Sequence, residues 1–96
     1  MINITDIQKA YSNISINIHR TPISTSTYLS QKFNSKIFFK QELFQKTGSF
    51  KIRGVLNKLS SLTPGQLKNG VISLSSGNHA QAVAYGSKIY NISSTI

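Results

Sequence analysis

A chain of 96 residues can fold as one small domain but is too short for two with separate cores. It has no cysteine, which excludes disulfide scaffolds, thiol catalysis and cysteine-ligated zinc. Only Asp6 and Glu42 oppose eleven Lys and Arg, a formal net charge of +9, but these bases are scattered without a run of five, so no nucleic-acid partner is expected. A larger protein with its acids elsewhere would also account for the imbalance. No window reaches the ~20 apolar residues of a membrane helix, and the first residues lack a secretory pattern, so the expectation is a cytoplasmic protein without a membrane partner.

Along the chain, Ile4, Ile7, Ala10, Tyr11, Ile14 and Ile18 recur at helical steps and predict an amphipathic helix, capped by Thr5 or Asp6. Arg20-Thr21-Pro22 breaks it, because the residue before proline is pushed to extended geometry. Ser24 to Thr27 is a hydroxyl cluster that reads as a turn or a cap, or as donors for a phosphate beside basic residues. Lys36-Ile37-Phe38-Phe39-Lys40 reads as a strand. After Gly48, the residues Ile52, Val55, Leu56, Leu59 and Leu62 share one helical face, with Ser49 as cap and Thr63-Pro64-Gly65 as terminator. Val71 to Ser75 reads as a second strand, 76–79 as a tight polar turn, and Ala80, Val83, Ala84 and Ser87 as the small-residue face of a further helix. An apolar strand starts again over 90–96. This order of helices and strands predicts α/β architecture with at least one right-handed parallel crossover.

Two turns fall where such sheets bind ligands, at strand ends and helix starts. In the first, Thr47-Gly48-Ser49 delivers Lys51 to the first turn of a helix, where the dipole disfavours an ammonium charge, with Arg53 nearby and Phe50 offering a flat apolar face. In the second, Ser75-Ser76-Gly77-Asn78-His79 opens a helix whose backbone N–H groups would point at an anion such as a carboxylate. Taken singly, each turn also reads as ordinary structure, an exposed lysine in one case and a capped helix start in the other. His79 and His19 with two acids make a poor metal site, so none is expected.

Together the two turns resemble the pyridoxal-phosphate enzymes of the tryptophan-synthase-β fold (fold type II), and within them the serine racemase and serine/threonine dehydratase family. The resemblance runs from about Ile4 to Ile92 and includes Arg20-Thr21-Pro22, the stretch from Ile37 to Gly54, and Ser75 to Ala82. The Leu43-Phe44-Gln45-Lys46-Thr47-Gly48-Ser49 form is closer to eukaryotic-type serine racemase than to biosynthetic threonine dehydratase.

The resemblance implies parallel strands with crossover helices, forming the incomplete N-terminal part of that fold. Residues 1–96 would be one partial domain, with about 1–70 starting a large domain and about 71–96 a small one. It implies that Lys51 forms the internal Schiff base with pyridoxal 5'-phosphate and acts as acid and base at Cα. Phe50 would pack on the pyridine ring and Asn78 would bond the cofactor's phenolic oxygen. Ser75, Ser76, Gly77, Asn78 and His79 would hold the substrate carboxylate, and Ser76 would serve as acid and base on the opposing face. The implied substrate is L-serine or L-threonine, undergoing racemisation or dehydration with loss of ammonia, in a homo-oligomer. The family also responds to ATP and to divalent Mg or Ca as activators. The nucleotide positions match Ser26, Thr27, Tyr28, Lys46 and Thr47, although the family pattern carries a second serine and an aliphatic residue at 27 and 28. The family's metal ligands and its glycine-rich phosphate loop have no counterpart here, so the isolated chain is expected to be inactive or to need the remainder in trans. The competing classes are an inactive remnant or non-enzymatic interaction module and, behind it, a basic nucleic-acid binder.

Overall fold

A computed structural model describes residues 1–96. The first helix, α1 (Ile4–Ile14), starts at a capping box in which Asn3 Oδ1 accepts from Asp6 N at 3.0 Å and Asp6 Oδ2 accepts from Asn3 N at 2.9 Å. The cap is therefore Asn3, with Asp6 as its answering residue inside the helix, rather than Thr5 or Asp6 as expected. Only the end of the predicted stripe is buried. Ile14 and Ile18 enter the core, whereas Ile4, Ile7 and Tyr11 stay exposed. A 3-10 turn, Ser15–Asn17, then leads to extended backbone at Ile18.

The hydroxyl cluster does more than turn. Ile23–Thr25 forms a strand, β1, and Ser26 caps a short helix, α2 (Thr27–Lys32), by accepting from Leu29 N at 3.2 Å. The predicted strand over 36–40 is realised as β2 (Phe38–Lys40). It pairs antiparallel with β1, Ile23 opposite Lys40 and Thr25 opposite Phe38, a pairing that differs from the parallel arrangement expected throughout. The twelve residues between them, six of them in α2, bring β2 back against β1 in the opposite sense.

After a 3-10 turn (Glu42–Phe44), α3 (Lys51–Ser60) carries the main apolar face: Ile52, Val55, Leu56 and Leu59 are all buried. Thr63-Pro64 does not simply stop this helix. Thr63 caps a further one, α4 (Pro64–Lys68), with proline at a first-turn position where its missing N–H costs nothing. Strand β3 is only Val71–Ile72, and α5 (Asn78–Tyr90) carries the chain over to β4 (Ser94–Thr95), which pairs parallel with β3. The parallel crossover is thus β3–α5–β4.

The core joins three helices, with Ile14 at the end of α1 and Ile18 just past the 3-10 turn, the α3 face, and Ala82 and Val83 of α5. Gly86 lets α3 and α5 approach closely: a Cβ there would lie 2.9 Å from Val55 Cγ1 and 3.0 Å from Leu59 Cδ1. Beyond this core, large apolar side chains remain on the surface, among them Ile23, Phe38, Leu43, Phe44, Ile72 and Leu74. No helix is long and apolar enough to cross a membrane.

Candidate active site

The start of α3 is held by polar contacts that reach back to Thr21, just ahead of β1. Arg53 donates from Nε to Glu42 Oε2 at 2.8 Å and from Nη2 to Glu42 Oε1 at 2.7 Å, and Thr21 Oγ1 donates to the same Oε1 at 2.5 Å. The hydrogen bonds from Arg53 chiefly hold the Glu42 carboxyl down at a pKa of about 2, against the opposing effect of its own burial and with Thr21 assisting. Glu42 in turn raises the Arg53 guanidinium above its ordinary value. Arg53 is therefore committed to Glu42, whereas the sequence suggested it as a neighbouring charge for Lys51. Lys40 Nζ completes the set by donating to Thr21 O at 2.6 Å.

Gln45 is a second clamp. Its Oε1 accepts from His19 N at 2.8 Å and Lys46 N at 3.0 Å, while its Nε2 donates to His19 O at 2.9 Å. The chain then turns through Gly48 at φ +69°, in the left-handed region, with Gly48 N donating to Gln45 O at 2.8 Å. Phe50 occupies the cap position of α3, and Ser49 Oγ accepts from Lys51 N at 3.4 Å, so the serine assists the helix start from one residue further back than a standard cap. Lys51 is the first residue of the helix. Its side chain is exposed, with Nζ 5.0 Å from the centre of the Phe50 ring, itself exposed. A rigid loop thus presents a primary amine and an aromatic face on the open side.

At the start of α5, Ser75 Oγ accepts from Gly77 N at 3.3 Å and from Ala80 N at 3.2 Å, which folds the loop over its own hydroxyl. The backbone N–H groups of Ser76, Asn78 and His79 have no partner in the chain, and their side chains are exposed. Three free donors at the positive end of a thirteen-residue helix form a cradle for an anion.

Both sites sit at the first turns of packed helices, but no hydrogen bond or ion pair joins Lys51 to Ser76, Asn78 or His79. The cavity between α3 and α5, about 270 Å³, is lined by Gly54, Val55 and Lys58 from one helix and His79 and Val83 from the other; Lys51 and Ser76 lie outside it. Of the residues matched to a nucleotide site, Ser26 and Thr27 line a polar cavity of about 500 Å³ beside α2, which Tyr28, Lys46 and Thr47 do not reach. Tyr28 and Lys46 are exposed, and the Thr47 hydroxyl is buried without a partner. No group of three or more His, Asp and Glu side chains converges on a point where a metal could bind. The Glu42–Arg53–Thr21 set and the Gln45 clamp went unread in the sequence; the one available signal was that Glu42 is one of only two acids.

An α/β scaffold that exposes an amine at one helix start and free N–H donors at another can serve an aldehyde-bearing cofactor and an anionic substrate. A family profile described as "Pyridoxal-phosphate dependent enzyme" matches residues 14–96, and the chain belongs to that family. It is 50% identical over 94 residues to human serine racemase, covering 95% of this chain and 28% of that protein. It is 44% identical over 96 residues to the L-threonine ammonia-lyase of Thermotoga maritima, covering 100% of this chain and 24% of that protein. The solved structure of maize serine racemase superposes with a TM-score of 0.88 at 43% identity, over 96% of this chain and 29% of that one. The fold is therefore that of the N-terminal part of the fold type II enzymes, and the chain spans well under a third of the length of these relatives.

Proposed function

We propose that this chain is the lysine-bearing N-terminal part of a pyridoxal-phosphate enzyme that racemises L-serine or converts L-serine or L-threonine to a 2-oxo acid and ammonia by dehydration and hydrolysis. The observation that carries the reading is the exposed Lys51 amine at the first position of α3, behind a loop pinned by Glu42, Gln45 and Gly48. Support for the substrate class comes from the names of the relatives, serine racemase and L-threonine ammonia-lyase. The residues present fit the amine and ring side of the cofactor: a reachable primary amine, the open face of Phe50 beside it, and the exposed Asn78 amide for the ring oxygen.

When bound, pyridoxal phosphate draws electron density away from the amino acid's Cα. The protein's own part is to hold and move protons. Lys51 takes or returns the Cα proton through Nζ, and the Ser76 hydroxyl is the second proton donor and acceptor. The free N–H groups of Ser76, Asn78 and His79 hold the substrate carboxylate, with Ser75 and Gly77 shaping the turn. Residues about 1–70 would belong to a large domain and about 71–96 to a small one, which puts the two proton-carrying residues on opposite sides of the domain boundary. In the same reading Ser26, Thr27, Tyr28, Lys46 and Thr47 belong to an activating nucleotide site. The activity is assigned to the whole enzyme rather than to these residues alone.

Borohydride trapping after mixing the chain with pyridoxal phosphate, followed by peptide mapping, tests the reading. Label concentrated on Lys51 supports it; label spread evenly over the exposed lysines overturns it.

A further inference from the structure

Three elements and the segment ahead of β1 direct side chains to one cavity that the proposed function does not use. Tyr11 of α1, Arg20 before β1, Lys40 at the end of β2 and Arg53 of α3 line a space of about 400 Å³. The strand pairing of Ile23 with Lys40 and the bond from Gln41 N to Pro22 O at 3.0 Å hold the backbone around Arg20 and Lys40 together. Three cations meet there, and Glu42, which pairs with Arg53, is the only carboxylate bonded to any of them, leaving a local excess of two positive charges (3 − 1 = 2).

Two of these cations are already held in place. Lys40 spends one of its three ammonium donors on Thr21 O, and Arg53 spends Nε and one Nη2 hydrogen on Glu42, which leaves the rest of each group free. Arg20 makes no hydrogen bond within the chain, so its whole guanidinium fork is available. Tyr11 adds a phenolic O–H. Lys40 and Arg53, held by the bonds they already make, offer donors that binding does not have to order, and the free Arg20 guanidinium adds a fork that can close on a compact ligand with several oxygens.

We infer that Tyr11, Arg20, Lys40 and Arg53 form a binding site for a phosphate-type oxyanion, distinct from the Lys51 and Ser76 turns and from the polar cavity beside α2. The ligand is inorganic phosphate or the phosphate group of a small phosphorylated metabolite. The inference stands whether or not Lys51 binds a cofactor.

The test is calorimetric titration of the full chain with inorganic phosphate and, separately, with adenosine monophosphate, in low-chloride buffer. One saturable site with a dissociation constant of roughly 1 mM or tighter is expected for phosphate. Arg20→Ala should weaken it by about tenfold or more, the loss of a charge-assisted hydrogen bond, while Arg20→Lys retains part of the affinity. Lys68→Ala, which removes one charge from the distant end of α4, should leave the titration unchanged. Arg20 is exposed and bonded to nothing in the chain, so its variants should keep the far-ultraviolet circular dichroism of the parent. Where Arg20→Ala weakens both ligands, equal parent affinities assign the site to free phosphate and tighter binding of the monophosphate assigns it to a phosphorylated metabolite, and both support the inference; binding that Arg20→Ala leaves unchanged belongs to another site and overturns it. Absence of saturable phosphate binding, or equal losses from Arg20→Ala and Lys68→Ala, overturns it.

Discussion

Arg53 grips Glu42 through two hydrogen bonds, Nη2 to Oε1 at 2.7 Å and Nε to Oε2 at 2.8 Å, and so ties the 3-10 turn ahead of the lysine loop to the helix behind it. The pair gives the chain a definite acid response. Glu42 titrates at about 2 in the fold against an ordinary 4.5, and its side chain is only 16% exposed. A depressed carboxyl contributes stability that is fully present above its unfolded pKa and is lost as pH falls through the folded one. Urea unfolding followed by circular dichroism should therefore show a stability that weakens between about pH 4.5 and 2, by an amount on the order of 2–3 kcal/mol. Glu42→Gln should flatten that window while lowering stability at neutral pH.

Gly86 sits where the two main helices touch. Alanine there gains about 1 kcal/mol in helix propensity but places a methyl against Val55, whose branched side chain is stiff in a helix and cannot swing aside. Overpacking costs typically 1–3 kcal/mol, so the crowding wins. Gly86→Ala should lower the unfolding free energy by roughly 1 kcal/mol, read from the shift in urea midpoint at constant slope.

One residue further on, the opposite result is expected. Ser87 is 2% exposed and its hydroxyl has no hydrogen-bond partner. Removing a buried, unsatisfied hydroxyl relieves its desolvation cost, and alanine is the better helix former. Ser87→Ala should raise the urea midpoint, with a gain of about 1 kcal/mol.

Gly48 separates backbone strain from packing. A Cβ at this position would meet nothing within 4 Å, so the only penalty for alanine is the left-handed φ of +69°. Gly48→Ala should cost roughly 1–2 kcal/mol and loosen the loop that presents Lys51. In the borohydride experiment, the share of label on Lys51 relative to Lys68 should fall.

The helices that matter for the site were legible because their signals are local. Ile52, Val55, Leu56 and Leu59 announce the buried face of α3, and Gly77 followed by small residues announces α5. Where structure depends on what lies opposite, local sequence does not carry it. Ile4 and Ile7 keep helical spacing yet meet no partner, so the stripe looked longer than the buried contact it makes. β1 holds one large apolar residue, Ile23, among hydroxyls, and its strand character comes from pairing with Phe39 and its neighbours. Thr63-Pro64 carries the chemistry of both a stop and a start, and only the capping bond from Gln66 N to Thr63 Oγ1 decides between them. The loop holding Lys51 was visible as Gly48 flanked by hydroxyls, but its fastening was not. Glu42 and Arg53 lie on different elements, the 3-10 turn and α3, so no pattern within one helix or strand joins them.

The short strand β3 leaves Ile72 84% and Leu74 98% exposed, next to a two-stranded sheet with open edges. Such a surface templates edge-to-edge association between copies. A net charge of +9 opposes this by mutual repulsion, over a range that shrinks to a Debye length of about 10 Å at 0.1 M salt. The chain's colloidal behaviour should therefore run opposite to that of a simple polyelectrolyte complex: dilute buffer keeps the copies dispersed, and added sodium chloride drives them together through β3.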